Sequence, residues 1–102
     1  MKMQDVTIYS RTDKERTPKI VRFTTESGVV FTIHKHMYYP NKYYPETWLI
    51  SSVGICDNVD LNTDDFEEAK VRGITHIKAI LDKKRMKYQS AVEELDKLIE
   101  QV

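Results

Sequence analysis

Two histidines, His34 and His36, lie two residues apart in a stretch rich in β-branched residues. On a β-strand this spacing sends both imidazoles to one side of the sheet, which is one way to begin a zinc site. Cys56, Asp57 and His76 are the residues that could complete it, but none stands at a recognisable ligand spacing. We therefore predict no metal and no cofactor. A metal-dependent enzyme built on His34 and His36 is the second alternative function.

Cys56 is the single cysteine of the chain. A reactive cysteine needs an electropositive environment that stabilises its thiolate, whereas Asp57 and Asp60 disfavour it. The sequence also lacks a Gly-rich phosphate loop, a nucleophile elbow and a His-Glu-x-x-His motif. We therefore predict a protein that is not an enzyme and has no catalytic residue. One cysteine forms no internal disulfide, which is typical of a cytoplasmic protein.

A Tyr-Tyr-Pro unit occurs twice within residues 38–45, five residues apart, and a tryptophan follows shortly after it. The prolines exclude a helix and a central strand, so this segment is predicted to be a stiff loop. Tyrosine and tryptophan are enriched where proteins contact partners. The alternative is that some rings fold back on the core. The predicted protein-contact residues are Tyr38, Tyr39, Tyr43, Tyr44 and Trp48.

A basic cluster lies in the N-terminal part of the chain. Together with the tyrosine loop it could form a ring-bearing, positive surface for single-stranded nucleic acid. The competing interpretation is a solvated loop, because acidic residues are interspersed in the same region. Nucleic-acid binding is therefore the first alternative function. The residues concerned are Arg11, Lys14, Arg16, Lys19 and Arg22.

The 16 Lys and Arg residues balance the 16 Asp and Glu residues, which argues against indiscriminate binding of nucleic acid or membrane. The balance is uneven along the chain, because residues 45–68 contain acids and no Lys or Arg. Part of this acidic block complements the dipole of a helix start. The rest could give a polarised surface that fits a charged partner.

The strands and helix that position these residues can be predicted from the spacing of apolar residues along the chain. Alternating and β-branched stretches predict four strands, and a hairpin signal around Gly28 joins the second and third. The apolar runs are too short to cross a membrane. We expect a single α+β domain over residues 1–102, with a four-stranded antiparallel β-meander in residues 1–60. The predicted strands are Val6–Tyr9, Ile20–Thr25, Val29–Ile33 and Trp48–Ile55.

Residues 61–102 are predicted to be helical, with Asn62 as the N-cap. No Gly or Pro follows Gly73, so the sequence contains no stop signal. The two expectations are one long helix (ββββα) or a hairpin broken near Lys84 (ββββαα). One helix would be about 58 Å long and would extend past its own sheet. An extended apolar stripe then predicts a homodimer through Leu95, Leu98 and Ile99.

The strand Trp48-Leu49-Ile50-Ser51, followed by a helix start at 63–69, resembles short accessory proteins encoded by phages and plasmids. The resemblance implies an inhibitor or modulator of a host protein. The leading prediction is a small, soluble, non-catalytic protein-interaction module in the cytoplasm. Its partner would be a protein whose identity the sequence does not reveal.

Overall fold

The computed structural model describes residues 1–9, 18–35 and 46–102. Within them five strands form one antiparallel sheet in chain order, so each strand pairs with its sequence neighbours. The α+β class is confirmed, but the sheet has five strands and not four. The elements are β1 (Lys2–Asp5), β2 (Ile20–Thr24), β3 (Val30–His34), β4 (Leu49–Ser52), β5 (Cys56–Asp60) and α1 (Phe66–Glu100).

The two edge strands account for the errors in the predicted sheet. The first strand was expected at Val6–Tyr9, but β1 comprises the preceding, largely polar residues. The fourth was expected to continue to Ile55, but the chain turns at Gly54, whose φ is 78°, and returns as β5. Edge strands face solvent and need no apolar alternation, so both β1 and β5 lack the usual strand pattern.

The core lies on one face of the sheet. Phe23 of β2 stacks on Phe31 of β3 with ring centroids 5.1 Å apart, and the two residues are register partners. Ile33 and Ile50, on β3 and β4, are fully buried beside them. The predicted hairpin is confirmed, because Gly28 takes a φ of 91° at the turn between β2 and β3. The alternation of buried apolar and exposed side chains along β2 and β3 therefore decides which face of the sheet the helix covers.

α1 starts later than predicted. Its N-cap is Asp65, whose carboxylate accepts a hydrogen bond of 3.0 Å from the backbone N–H of Glu68. Asn62, the predicted N-cap, instead adopts a φ of 56° in the connection before the helix. The Leu61 and Asn62 carbonyl oxygens accept hydrogen bonds from Arg72, which ties this connection to the second turn of the helix.

α1 is one continuous helix of 35 residues, so the helical hairpin is not formed. It packs on β3 and β4 through buried Ala69, Gly73 and Ile77. A Cβ at Gly73 would lie 3.0 Å from Ile50 Cδ1, so the helix backbone approaches the sheet closely here. The described residues extend over 68 × 28 × 21 Å. The elongation follows from a helix that is longer than the sheet beneath it.

Candidate functional site

The far half of α1 extends beyond the sheet and makes no packing contact with the other described residues. Lys84 is half-buried, and its ammonium group donates a 3.1 Å hydrogen bond to the carbonyl oxygen of Gly54 in the turn between β4 and β5. Every residue from Arg85 to Val102 is exposed. We call residues 85–102 the projecting segment. Of the two expectations left open by the sequence, a helix broken near Lys84 and a helix that extends past its own sheet, the structure has the second.

The projecting segment is apolar along one side. Leu95, Leu98 and Ile99, the predicted dimer residues, are 57%, 50% and 73% exposed. Tyr88 and Val92 are also largely exposed. An α-helix rotates about 100° per residue, which brings these side chains into one stripe. We call Tyr88, Ala91, Val92, Leu95, Leu98 and Ile99 the C-terminal stripe.

The C-terminal stripe is the continuation of the face that packs on the sheet. With a rotation of about 100° per residue, the angular positions of the stripe residues around the helix axis fall within a sector of about 120°, which also contains Gly73 and the buried Ile77. Met86 lies on the opposite side of the helix and is 65% exposed. The face that buries Ala69 and Ile77 against the sheet is therefore uncovered beyond Lys84.

Charge changes sign along the projecting segment. Lys83 and Lys84, just before the segment, and Arg85 and Lys87, at its start, make this part of α1 basic. Four acids and one lysine follow over the next turns, so the far end is acidic. We call the first group the basic neck and the second the acidic end. The acids of the acidic end are Glu93, Glu94, Asp96 and Glu100.

His34 is buried on the sheet face opposite α1, at the register position of Ile20 and Leu49. Its Nε2 lies 2.9 Å from the Ser51 hydroxyl, and its Nδ1 lies 2.8 Å from the Lys35 carbonyl oxygen. Both ring nitrogens therefore have protein partners, and a metal bond would have to replace one of them. His36 lies outside the described residues.

Cys56 is half-buried at the start of β5. Burial raises the pKa of its thiol, and the charge of Asp57 acts in the same direction, although a hydrogen bond with the backbone of Ser52 opposes them. The sequence predicted the direction from the aspartates, whereas desolvation is the larger cause. The thiol is therefore a weak nucleophile near neutral pH.

Trp48, predicted as a contact residue, belongs to the core and is 5% exposed. Its indole N–H donates a 3.0 Å hydrogen bond to the Asp64 carbonyl oxygen, and its ring meets Phe66 edge-on at 5.1 Å. Trp48 and Phe66 also line an apolar groove of about 270 Å³ with Met3, Pro18 and Val21. The other predicted contact residues, Tyr38, Tyr39, Tyr43 and Tyr44, lie outside the described residues.

The predicted nucleic-acid residues are only partly described. Lys19 and Arg22 are exposed, but they are three positions apart along an extended chain, so their side chains leave opposite faces of the sheet. Arg22 lines an open cleft of about 800 Å³ between the two hairpin turns, beside Thr32 and Ser51. Arg11, Lys14 and Arg16 fall outside the described residues. The structure thus does not bring Lys19 and Arg22 together.

In the described part of the chain, no three His, Cys, Asp or Glu side chains come close enough to share a metal ion. The same residues contain no helix with the length and apolar character needed to cross a membrane. Comparisons with protein families, curated proteins and solved structures find no match to this chain.

Proposed function

We propose that this protein is a non-catalytic protein-interaction module whose contact element is the projecting segment. The observation that supports this is the continuity between the buried face of α1 and the C-terminal stripe. A helix of this kind normally buries its apolar side, and burial of a Leu or Ile side chain contributes roughly 1.5–3 kcal/mol. Three such side chains, Leu95, Leu98 and Ile99, are at least half exposed.

The sheet has a different role in this proposal. β2, β3, β4 and the first turns of α1 enclose the core, and the side chains of Phe23, Ile33 and Ile50 are fully buried there. This half anchors the helix so that the stripe points in a fixed direction. The C-terminal stripe then packs side by side with a helix of another chain, as helices with apolar seams do.

Sedimentation velocity over a range of micromolar concentrations tests the proposal, together with titration against any protein captured from the native lysate. Leu95→Glu places a charge in the middle of the stripe and should weaken binding at least tenfold. Met86→Glu is the matched control, because it exchanges an equally exposed apolar residue on the opposite side. Association that Leu95→Glu leaves intact, or a chain that stays monomeric and binds nothing, contradicts the proposal.

A further inference from the structure

We infer that the occupant of the C-terminal stripe is the projecting segment of a second copy, running antiparallel to the first. The inference rests on the proposed function, because it takes the stripe as the contact surface. It adds the identity of the partner and the direction in which the partner runs. Three independent features support it: the position of the sheet, the length of the segment and the distribution of its charges.

The sheet excludes a parallel pair. The sheet and the stripe share one face of α1, since Gly73 and Ile77 pack on the sheet and Leu95 continues their row. A helix packed on the stripe runs about 8–10 Å from α1. If the axis of that partner helix is continued in the direction of Phe66, it passes through the volume that β3 and β4 occupy. A parallel partner in register would place its own first turns in that volume, so it would collide with the sheet.

An antiparallel partner fits the space that is free. From Arg85 to Glu100 the helix is about 24 Å long, at 1.5 Å per residue. A second projecting segment of the same length covers the stripe fully, and its far end stops beside Lys84, where the sheet ends. Each sheet then lies next to the end of the other chain's helix. The two-fold arrangement closes after two copies.

The charges favour the same direction. Lys84 lies within the sector of the stripe and Arg85 at its border, so a parallel pair would bring these cations against their own copies. In an antiparallel pair the basic neck of one chain instead lies level with the C-terminal end of the other helix, away from its own copy. The carbonyl end of a helix is also the negative end of its dipole. At both ends of the antiparallel pair, the basic neck therefore lies near the negative end of a helix dipole and not beside a second basic neck.

The apolar side chains define the register. Tyr88, Val92, Leu95 and Ile99 follow one another at spacings of four and three residues, as in a coiled-coil seam. In the antiparallel register that packs each seam residue against a seam residue of the other helix, Val92 faces Leu95 of the second copy and Tyr88 faces Ile99 of the second copy. Each contact occurs twice because of the two-fold axis.

Disulfide cross-linking in the full chain tests the direction. Tyr88→Cys and Ile99→Cys are each made in a Cys56→Ser background, and circular dichroism confirms that both variants fold. Each variant is oxidised alone and as an equimolar mixture, with sedimentation velocity as an independent measure of mass. We expect a cross-linked dimer in the mixture, at least tenfold more than in either variant alone. Leu95→Glu added to both should abolish it.

Other outcomes overturn the inference in distinguishable ways. Efficient self-cross-linking of each variant would show a parallel pair, and a dimer that gives no cross-link would show a different interface. A chain that remains monomeric, yet binds a different protein through Leu95, would exclude the second copy while leaving the proposed function standing. A monomer without any partner would overturn both.

Discussion

The ammonium group of Lys84 donates a hydrogen bond to the carbonyl oxygen of Gly54, and this contact stands where α1 leaves the sheet. Gly54 occupies the turn between β4 and β5 with a φ of 78°, a conformation that favours glycine. The turn therefore presents its carbonyl to the helix at the edge of the core. Beyond this point every residue of α1 is exposed, so Lys84 separates its anchored half from its projecting half.

Gly73→Leu should lower the free energy of unfolding by about 1–3 kcal/mol, as overpacking of a core does. Even a Cβ at this position would lie 3.0 Å from Ile50 Cδ1 and 3.2 Å from Ile33 Cδ1. Urea denaturation measures the change. Thr75→Leu is the control, because it adds a similar side chain on an exposed side of the same helix. Equal stabilities of the two variants would show that the close packing at Gly73 does not matter.

Trp48→Ala should lower stability by about 3–5 kcal/mol, the range for removing a buried aromatic side chain. The loss includes the contact with Phe66 and the hydrogen bond to Asp64. The fluorescence of Trp48, the only tryptophan, should shift to longer wavelength when the wild-type protein unfolds, and circular dichroism follows the unfolding of the variant, which lacks tryptophan. If the variant kept its melting temperature but lost a binding partner, Trp48 would be a contact residue after all.

Stability should fall in acid partly because of Asp5. Hydrogen bonds from the Thr7 and Tyr9 hydroxyls and from the Thr7 backbone hold the pKa of this carboxyl below its ordinary value. A lowered folded pKa contributes stability above the unfolded pKa of about 3.9, and that contribution is lost as pH falls through the folded pKa. Asp5→Asn should therefore melt below wild type at neutral pH, with the difference vanishing in strong acid. A pH-independent difference would contradict this.

Cys56 should alkylate more slowly in the folded protein than in urea at the same pH. Burial raises the pKa of its thiol and so reduces the fraction present as thiolate. The rate of reaction with iodoacetamide, followed by mass spectrometry, measures the difference. Asp57→Asn should accelerate the folded reaction modestly, because it removes the smaller cause of the shift. Equal rates in the folded and unfolded chain would show that the thiol is not shielded.

The central strands could be predicted because their signals are physical requirements of burial. β2 and β3 must alternate to fill the core with Phe23 and Phe31, and Gly28 is needed for the turn between them. The edge strands do not have to meet this requirement. β5 consists mostly of exposed residues, and the turn at Gly54 that leads into it falls inside the stretch predicted as the fourth strand.

The candidate site was predictable in part. The apolar spacing identified Leu95, Leu98 and Ile99, and the missing stop signal allowed a helix that projects. The sequence could not choose between a projecting helix and a hairpin, because Lys83–Lys87 is compatible with both an exposed turn and a break. The burial of His34 and Trp48 depends on neighbouring strands and on Phe66, contacts that no local pattern specifies.

Because α1 is continuous from the sheet to Glu100, the sheet fixes the direction around the helix axis in which each side chain beyond Lys84 points. One residue inserted after Lys84 would turn the far half by about 100° relative to the sheet, while seven would restore the phase and lengthen the helix by about 10 Å. The amino acids at its end would be unchanged in both cases. The direction in which this protein presents Leu95 is thus encoded in a count of residues, and a single insertion can redirect it.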